Sequence, residues 1–320
     1  MPPAAVRQGE GRSWSRGRTI ESRAIPPLYR GRYTARFAET ERDLERALAL
    51  RALRFRGAGA PGRTDRDRFD ATCRHVLVED RATGALVCTY RLQWFAESAQ
   101  LSDSYTSLFY DLSRLGGIAG PVLEMGRFCI APPAAAGPSA AERVRVRRGP
   151  AGRDHERRGP GGRSDAGPGY ERRAHAASTA GPGQDADILR IAWGALTRAV
   201  DAGGVRLLMG CASFAGTDPA RFREAFALLR EGHLAPERWR PAVKAREVAR
   251  FADWSTPQGW DRQRAALALP PLLRTYLAMG GRVSDHAVVD RDLQTMHVFT
   301  GLEIAAIPPA RARALRLVAG

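Results

Sequence analysis

Pro121-Val122-Leu123-Glu124-Met125-Gly126-Arg127-Phe128-Cys129-Ile130 is an apolar run interrupted by one acid, one glycine and one arginine. It reads as a buried strand. A carboxylate and a guanidinium are costly in such a run unless they are paired or put to use. Gly126 between them marks a bulge or a close approach of another backbone or a ligand. In a regular strand Glu124 and Arg127 point to opposite faces. One extra residue at Gly126 places both on the same face. The pair is then either a buried ion pair that fixes register or a polar couple with a chemical role.

Outward from this strand the chain alternates between elements of period 2 and period 3.6. Upstream, Tyr33 to Glu39 alternates as a first strand, and Thr40-Glu41-Arg42-Asp43 resembles a capping box. Leu44, Ala47, Leu48, Arg51, Ala52 and Phe55 then follow helical spacing, ended by glycines 57, 59 and 62. His75 to Asp80 and Ala85 to Phe95 form a strand pair around Arg81-Ala82-Thr83-Gly84. A short helix is expected near Phe109 to Leu115. Downstream, Asp185-Ala186-Asp187 opens a helix from Ile188 to Val200, and Gly203-Gly204 stops it. Val205 to Phe214 is a nearly continuous apolar strand, central and covered on both faces. A helix over Ala220 to Gly232 and another from Pro270-Pro271 to Met279 follow. Strands at Val283 to Val289 and Met296 to Leu302 close the pattern. Residues 234–262 have no clear periodicity. The fold class is α/β, a mixed sheet in one domain.

Three segments lie outside that pattern: residues 1–31, a disordered leader; residues 311–320, a C-terminal tail; and residues 137–183. This last stretch contains no Leu, Ile, Phe, Met or Trp. It cannot bury enough apolar area to offset its ordering entropy. It reads as a disordered insertion or as a GC-rich stretch translated out of frame, interrupting a single domain over 32–310.

The net charge is +16. Residues 1–36 and 137–183 supply +6 and +5 of it, and Lys244 is the only lysine. A nucleic-acid surface normally mixes lysine with aromatic stacking residues, so no nucleic-acid partner is expected. No run of about 18 apolar residues suggests a membrane span. Cys73, Cys88, Cys129 and Cys211 form no C-x-x-C and read as reduced core cysteines of a cytoplasmic protein. The histidines are scattered without metal spacing, so no metal is expected.

Residues 69–80 (FDATCRHVLVED), 89–92 (TYRL), 123–130 (LEMGRFCI), 187–200 (DILRIAWGALTRAV), 210–219 (GCASFAGTDP) and, within 269–302, LPPLLRTYLAMGG, VSDHAVVDRDL and HVFTGL occur in this order. Together they resemble the L-ornithine N-acyltransferases of ornithine-lipid synthesis, in the GNAT superfamily branch that also resembles acyl-homoserine-lactone synthases. The resemblance implies a GNAT-like twisted mixed sheet of about seven strands flanked by helices. A splayed strand pair, 121–130 and 205–214, would form the acyl-donor cleft. It also implies transfer of a 3-hydroxyacyl group from acyl carrier protein to the α-amino group of L-ornithine, giving lyso-ornithine lipid. No cofactor is then expected beyond the thioester co-substrate, and the product's chemistry suggests peripheral contact with the inner membrane. Rival expectations are a lactone-synthase-like enzyme and a non-catalytic basic nucleic-acid- or membrane-surface-binding protein.

Aminolysis of a thioester needs a neutral amine, an acceptor for its proton and support for the oxyanion. Glu124 is the expected general base or amine-orienting residue. Arg127 would orient it or bind the ornithine carboxylate bidentately. By resemblance Arg54, Asp67 and Asp70 belong to the substrate-side charged segment, the aspartates suiting the ornithine ammonium. Arg91 would approach the donor's phosphopantetheine, and Ser213 would donate a hydrogen bond at the end of a central strand. His75 could be a base but reads better as structural. Asp218 reads as an N-cap, and Asp285, His286 and Asp290 as a structural C-terminal signature. The usual GNAT pyrophosphate loop, Q/R-x-x-G-x-G/A, is absent before Ile188, which is compatible with a carrier-protein donor.

Overall fold

The structure is a computed structural model describing residues 25–57, 64–132, 182–255 and 258–320. The proposed insertion at 137–183 therefore lies outside the described residues except for its last two positions, as does the leader up to residue 24. Eleven strands are present among the described residues: β1 (Leu28–Arg30), β2 (Tyr33–Phe37), β3 (Arg74–Asp80), β4 (Leu86–Phe95), β5 (Tyr110–Asp111), β6 (Val122–Ile130), β7 (Leu207–Ala215), β8 (Ala242–Val243), β9 (Val248–Arg250), β10 (Arg282–Asp290) and β11 (Thr295–Glu303). The helices are α1 (Glu41–Phe55), α2 (Pro182–Ala202), α3 (Arg223–Gly232), α4 (Arg262–Ala268), α5 (Pro271–Ala278) and α6 (Pro309–Ala319).

Nine strands form one sheet in the order β1-β2-β3-β4-β6-β7-β11-β10-β9, and β5 and β8 form a separate pair. The expected seven-stranded sheet is thus larger, because short edge strands add to it. β1 lies within the supposed leader; three residues are too few to display alternation. β9, from the stretch without periodicity, closes the other edge. The supposed tail is helical: α6 packs along α2, and Arg198 Nε donates to the Ala319 carbonyl at 2.5 Å. The expected helix near Phe109 to Leu115 is instead β5 between two 3₁₀ turns, Thr106–Leu108 and Ser113–Gly117. Apolar residues three apart over so short a span serve a 3₁₀ turn equally well.

Local chemistry sets the well-ordered elements. The Thr40 hydroxyl accepts from the Asp43 amide at 3.1 Å, starting α1. The Asp43 carboxylate accepts from the Glu39 amide and pairs with Arg36 at 2.7 Å. Asp80 holds the β3–β4 turn through the Ala82 amide and the Thr83 hydroxyl, and also pairs with Arg32. Asp218 caps the 3₁₀ turn that leads into α3. No described helix is long and apolar enough to cross a membrane.

The sheet divides the core. On one face Leu123, Met125, Tyr90 and Leu92 pack against α2 and Tyr276 of α5, while Ala212, Phe214, Met296 and Val298 pack against α3, α4 and α5. On the other face Val122, Leu207, Met209 and Phe299 pack against Tyr110 and Trp239. All neighbouring strands are antiparallel except β6 and β7, which run parallel. That parallel pair sits at the centre of the sheet.

Candidate active site

β6 and β7 are paired only from Val122–Leu207 to Met125–Gly210. Beyond that rung β6 follows β4 and β7 follows β11, so the two strands part. Gly210 permits the close approach at the last rung, where its α-carbon faces the Met125 carbonyl oxygen. Past the rung a cleft of about 170 Å³ passes through the sheet. Its wall on the α5 side is apolar: Met125, Phe128, Ala212, Pro270, Leu272 and Tyr276. Its opposite wall is polar: Tyr105, Thr106, Glu124, Arg127, Ser213 and His297, with Asp290 at the end of β10.

The extra residue expected in β6 exists, one position further on. Thr89 pairs with Cys129 and Arg91 with Gly126, so two residues of β6 face one of β4. Arg127 takes the left-handed conformation at this bulge, with φ 55°. Glu124 and Arg127 both reach the cleft, but they are not an ion pair. Glu124 Oε1 accepts from the Thr106 amide at 2.7 Å and its hydroxyl at 2.5 Å, and Oε2 accepts from the Tyr105 amide at 3.0 Å. The carboxylate thus anchors the turn at 104–108 and keeps one acceptor position on Oε2. Burial raises its pKa, against the hydrogen bonds from Thr106 and Tyr105 and the charge of Arg91.

Arg127 instead faces the acidic loop. Its Nε lies 3.1 Å from Asp65 and its Nη2 3.2 Å from Asp67, with Tyr105 and Phe55 rings against the guanidinium. Arg91 Nη1 donates to Asp67 at 2.6 Å and to Asp70 at 2.7 Å. Arg51 donates to Asp65 at 2.9 Å and to Asp70 at 2.6 Å. These three arginines and three aspartates form one largely buried lattice behind the cleft's polar wall, with Asp67 at its partly exposed edge and Arg56 also 3.4 Å from Asp65. Burial pushes the Asp70 carboxyl up, but the hydrogen bond and charge of Arg51 and the charge of Arg91 prevail and hold it at about 2.

This lattice changes several expectations. Asp67 and Asp70 are matched by guanidinium groups and do not line the cleft, so a substrate ammonium is not their partner here. Arg91 is held by those aspartates and does not line the cleft. Arg54 does not line the cleft; Arg51, one turn earlier, reaches the acidic loop. His75 is buried, with Nε2 3.4 Å from the Asp70 carbonyl. Its pKa falls to about 4 through burial, so it is a neutral core histidine. Ser213 does line the cleft.

Residues not singled out for chemistry complete the wall. Cys211 lines it as a thiol; burial pushes its pKa to about 12, so no thiolate nucleophile stands there at neutral pH. Asp290 accepts the Leu293 amide at 3.0 Å through Oδ1 while also lining the cleft. His297 lies opposite Ser213 in the β7–β11 register. Asp290 ends β10 and Cys211 is central in β7, so each read as structural, and nothing in the sequence marked His297 for chemistry.

A GNAT acetyltransferase domain family matches residues 50–141. An L-ornithine N(alpha)-acyltransferase of Rhodobacter capsulatus is 28% identical over 288 residues, 86% of this chain and 91% of that protein. One from Rhizobium meliloti is 35% identical over 105 residues, 32% of this chain and 35% of that protein. One from Agrobacterium fabrum is 24% identical across 87% of this chain and 83% of its own length. Among solved structures, FeeM, an N-acyl amino acid synthase from uncultured soil microbes, aligns with a TM-score of 0.40 at 9% identity, over 86% of this chain and 93% of that one.

Proposed function

We propose that this chain, an acyltransferase of GNAT fold related to the L-ornithine N(alpha)-acyltransferases, moves a 3-hydroxyacyl group from acyl carrier protein to the α-amino group of L-ornithine. The observation that carries this reading is the two-sided cleft where β6 and β7 part. Its apolar wall suits the first carbons of an acyl chain, and its polar wall suits an amino acid. The thioester carbonyl then sits in the gap between the strands. There the facing edges of β6 and β7 no longer pair with each other, which leaves their backbone amides to support a developing oxyanion.

Each polar side chain takes a part of the acceptor. Arg127 binds the ornithine carboxylate at the cleft end of the aspartate lattice. Asp290, whose carboxylate is matched by an amide and not by an arginine, receives the distal ammonium. The free acceptor position on Glu124 Oε2 orients the α-amine, and the Ser213 hydroxyl donates toward the thioester. With Cys211 protonated, the amine attacks the thioester directly, without a covalent acyl-enzyme. No resident cofactor is needed. The acyl product partitions into a bilayer, so peripheral contact with the inner membrane accompanies the reaction.

The test is acylation of a panel of amines by the purified protein, with 3-hydroxyacyl carrier-protein thioester as donor and mass spectrometry as readout. Ornithine is expected to be acylated at its α-amine, and Asp290→Asn to raise KM for ornithine while leaving KM for the thioester near wild type. Turnover with S-adenosylmethionine and none with ornithine would overturn the assignment.

A further inference from the structure

His297 is 2% exposed, yet it is one of the residues lining the polar wall of the cleft. Its tautomer follows from one neighbour. The Tyr110 hydroxyl lies 2.9 Å from the His297 carbonyl oxygen and 3.2 Å from His297 Nδ1. A hydroxyl has one proton, and a carbonyl oxygen only accepts, so Tyr110 donates there. Nδ1 is then assigned as the donor to the phenolic oxygen. That assignment puts the ring proton on Nδ1 and leaves a lone pair on Nε2. Nε2 is buried and has no hydrogen-bond partner among the described residues. Buried acceptors are rarely left so, and the cleft is where a ligand would complete the pair.

The ring is held in place as well. Phe109 meets it edge-on at 4.8 Å between centroids, and Tyr110 does so at 5.6 Å. Burial, with the nearby His286 and Arg127, holds its pKa at about 3. The imidazole therefore stays uncharged at neutral pH and its lone pair stays available.

We propose that His297 Nε2 accepts the proton of the attacking amine during acyl transfer. This rests on the N-acyltransferase reading above and assigns its proton acceptor. The amine nitrogen attacks the thioester carbonyl carbon; the C–N bond forms as the carbonyl electron pair moves to oxygen. The nitrogen, now cationic and acidic, passes one proton to Nε2. The oxygen pair then returns, the C–S bond breaks, and the leaving thiolate takes the proton from Nε2. Amide, thiol and neutral imidazole result, with nothing oxidised or reduced. So weak a base does not deprotonate a free ammonium ion. It acts only once C–N bond formation has made the nitrogen acidic, which leaves Glu124 to orient the amine and to anchor its loop.

The experiment pairs His297→Gln with a measurement on the wild type. Glutamine can accept a hydrogen bond but not a proton. A folded His297→Gln protein, matched to wild type by thermal melt, is expected to lose about 10²-fold or more in kcat with little change in either KM. Tyr110→Phe, which frees the tautomer, is expected to lose less. Independently of any substrate, ¹⁵N NMR of the wild-type imidazole is expected to show an unprotonated Nε2 and a protonated Nδ1. Wild-type kcat in His297→Gln, or a protonated Nε2 in the resting protein, overturns the proposal. Failure of the ornithine assignment shows separately, in the wild-type acceptor panel. The kcat ratio is then read with whichever amine the wild type accepts, and the tautomer needs none.

Discussion

The carbonyl oxygen of Met125 occupies the space that a side chain on Gly210 would need. The two residues form the last rung of the parallel β6–β7 pairing, immediately before the strands part. Gly210→Ala must displace the Met125 carbonyl, which is backbone and cannot swing aside. The expected cost is about 1–3 kcal/mol, that of overpacking a tight interior. Because the displaced rung borders the cleft, activity should fall by more than the loss of folded protein explains. Melting temperature and kcat, measured on the same preparation, check this; an alanine variant as stable as wild type would deny the close approach.

The Asp70 carboxylate ties Arg51 to Arg91 inside the protein. Asp70→Asn leaves two buried guanidiniums short of charge, although Arg51 keeps Asp65 and Arg91 keeps Asp67. An expected loss of about 3 kcal/mol, at the low end for a broken buried pair, follows. The pH dependence has a definite sign. The folded pKa of about 2 lies below the ordinary value of 3.8, so the stabilisation is present above about pH 4. It is lost as pH falls through the folded value. Urea melts at pH 6 and pH 3 should therefore show the gap between wild type and Asp70→Asn shrinking in acid.

Arg127 has φ 55°, a conformation that L side chains adopt at a cost. Arg127→Gly and Arg127→Ala both remove the guanidinium facing Asp65 and Asp67, so both should lose ornithine turnover. Only glycine removes the backbone cost. The glycine variant should thus be more stable than the alanine variant by about 1 kcal/mol, the reverse of their usual order within a strand. Chemical denaturation of the two proteins measures that difference directly.

These residues also show how far the sequence could be read. Glu124 and Arg127 stood out because charge inside an apolar run must be compensated, and the structure does compensate both. The sequence could not say by what. The partners of Glu124 are amides of a loop some twenty residues upstream, and those of Arg127 are acids about sixty residues away. Asp67 and Asp70 look alike whether they await a substrate ammonium or already hold arginines; only the fold brings Arg51 and Arg91 to them. Arg51 did leave a trace, as an arginine on the apolar face of α1. His297 left none, because its role depends on a tyrosine 187 residues away in sequence. The long elements were legible from their periodicity. The three-residue edge strands were not, since so few residues cannot display a period.

Glu124→Gln separates anchoring from chemistry at the opening strand. The carboxylate accepts three hydrogen bonds, from the Tyr105 amide, the Thr106 amide and the Thr106 hydroxyl. Glutamine has one acceptor oxygen, so its NH₂ must face a donor. The expected destabilisation is about 1–3 kcal/mol, that of a buried donor left unmade. Amide hydrogen exchange should speed up at Tyr105 and Thr106 before it does elsewhere, since their anchor is the group that changed. The pH trend runs opposite to that of Asp70. Burial raises the folded pKa of Glu124, so its contribution is full below the ordinary carboxylate value and is lost as pH rises through the folded one. Glutamine does not titrate. The stability gap between wild type and Glu124→Gln should therefore narrow from acid toward neutral pH, and a gap that widens instead would mean that the ionised carboxylate is the form the fold prefers.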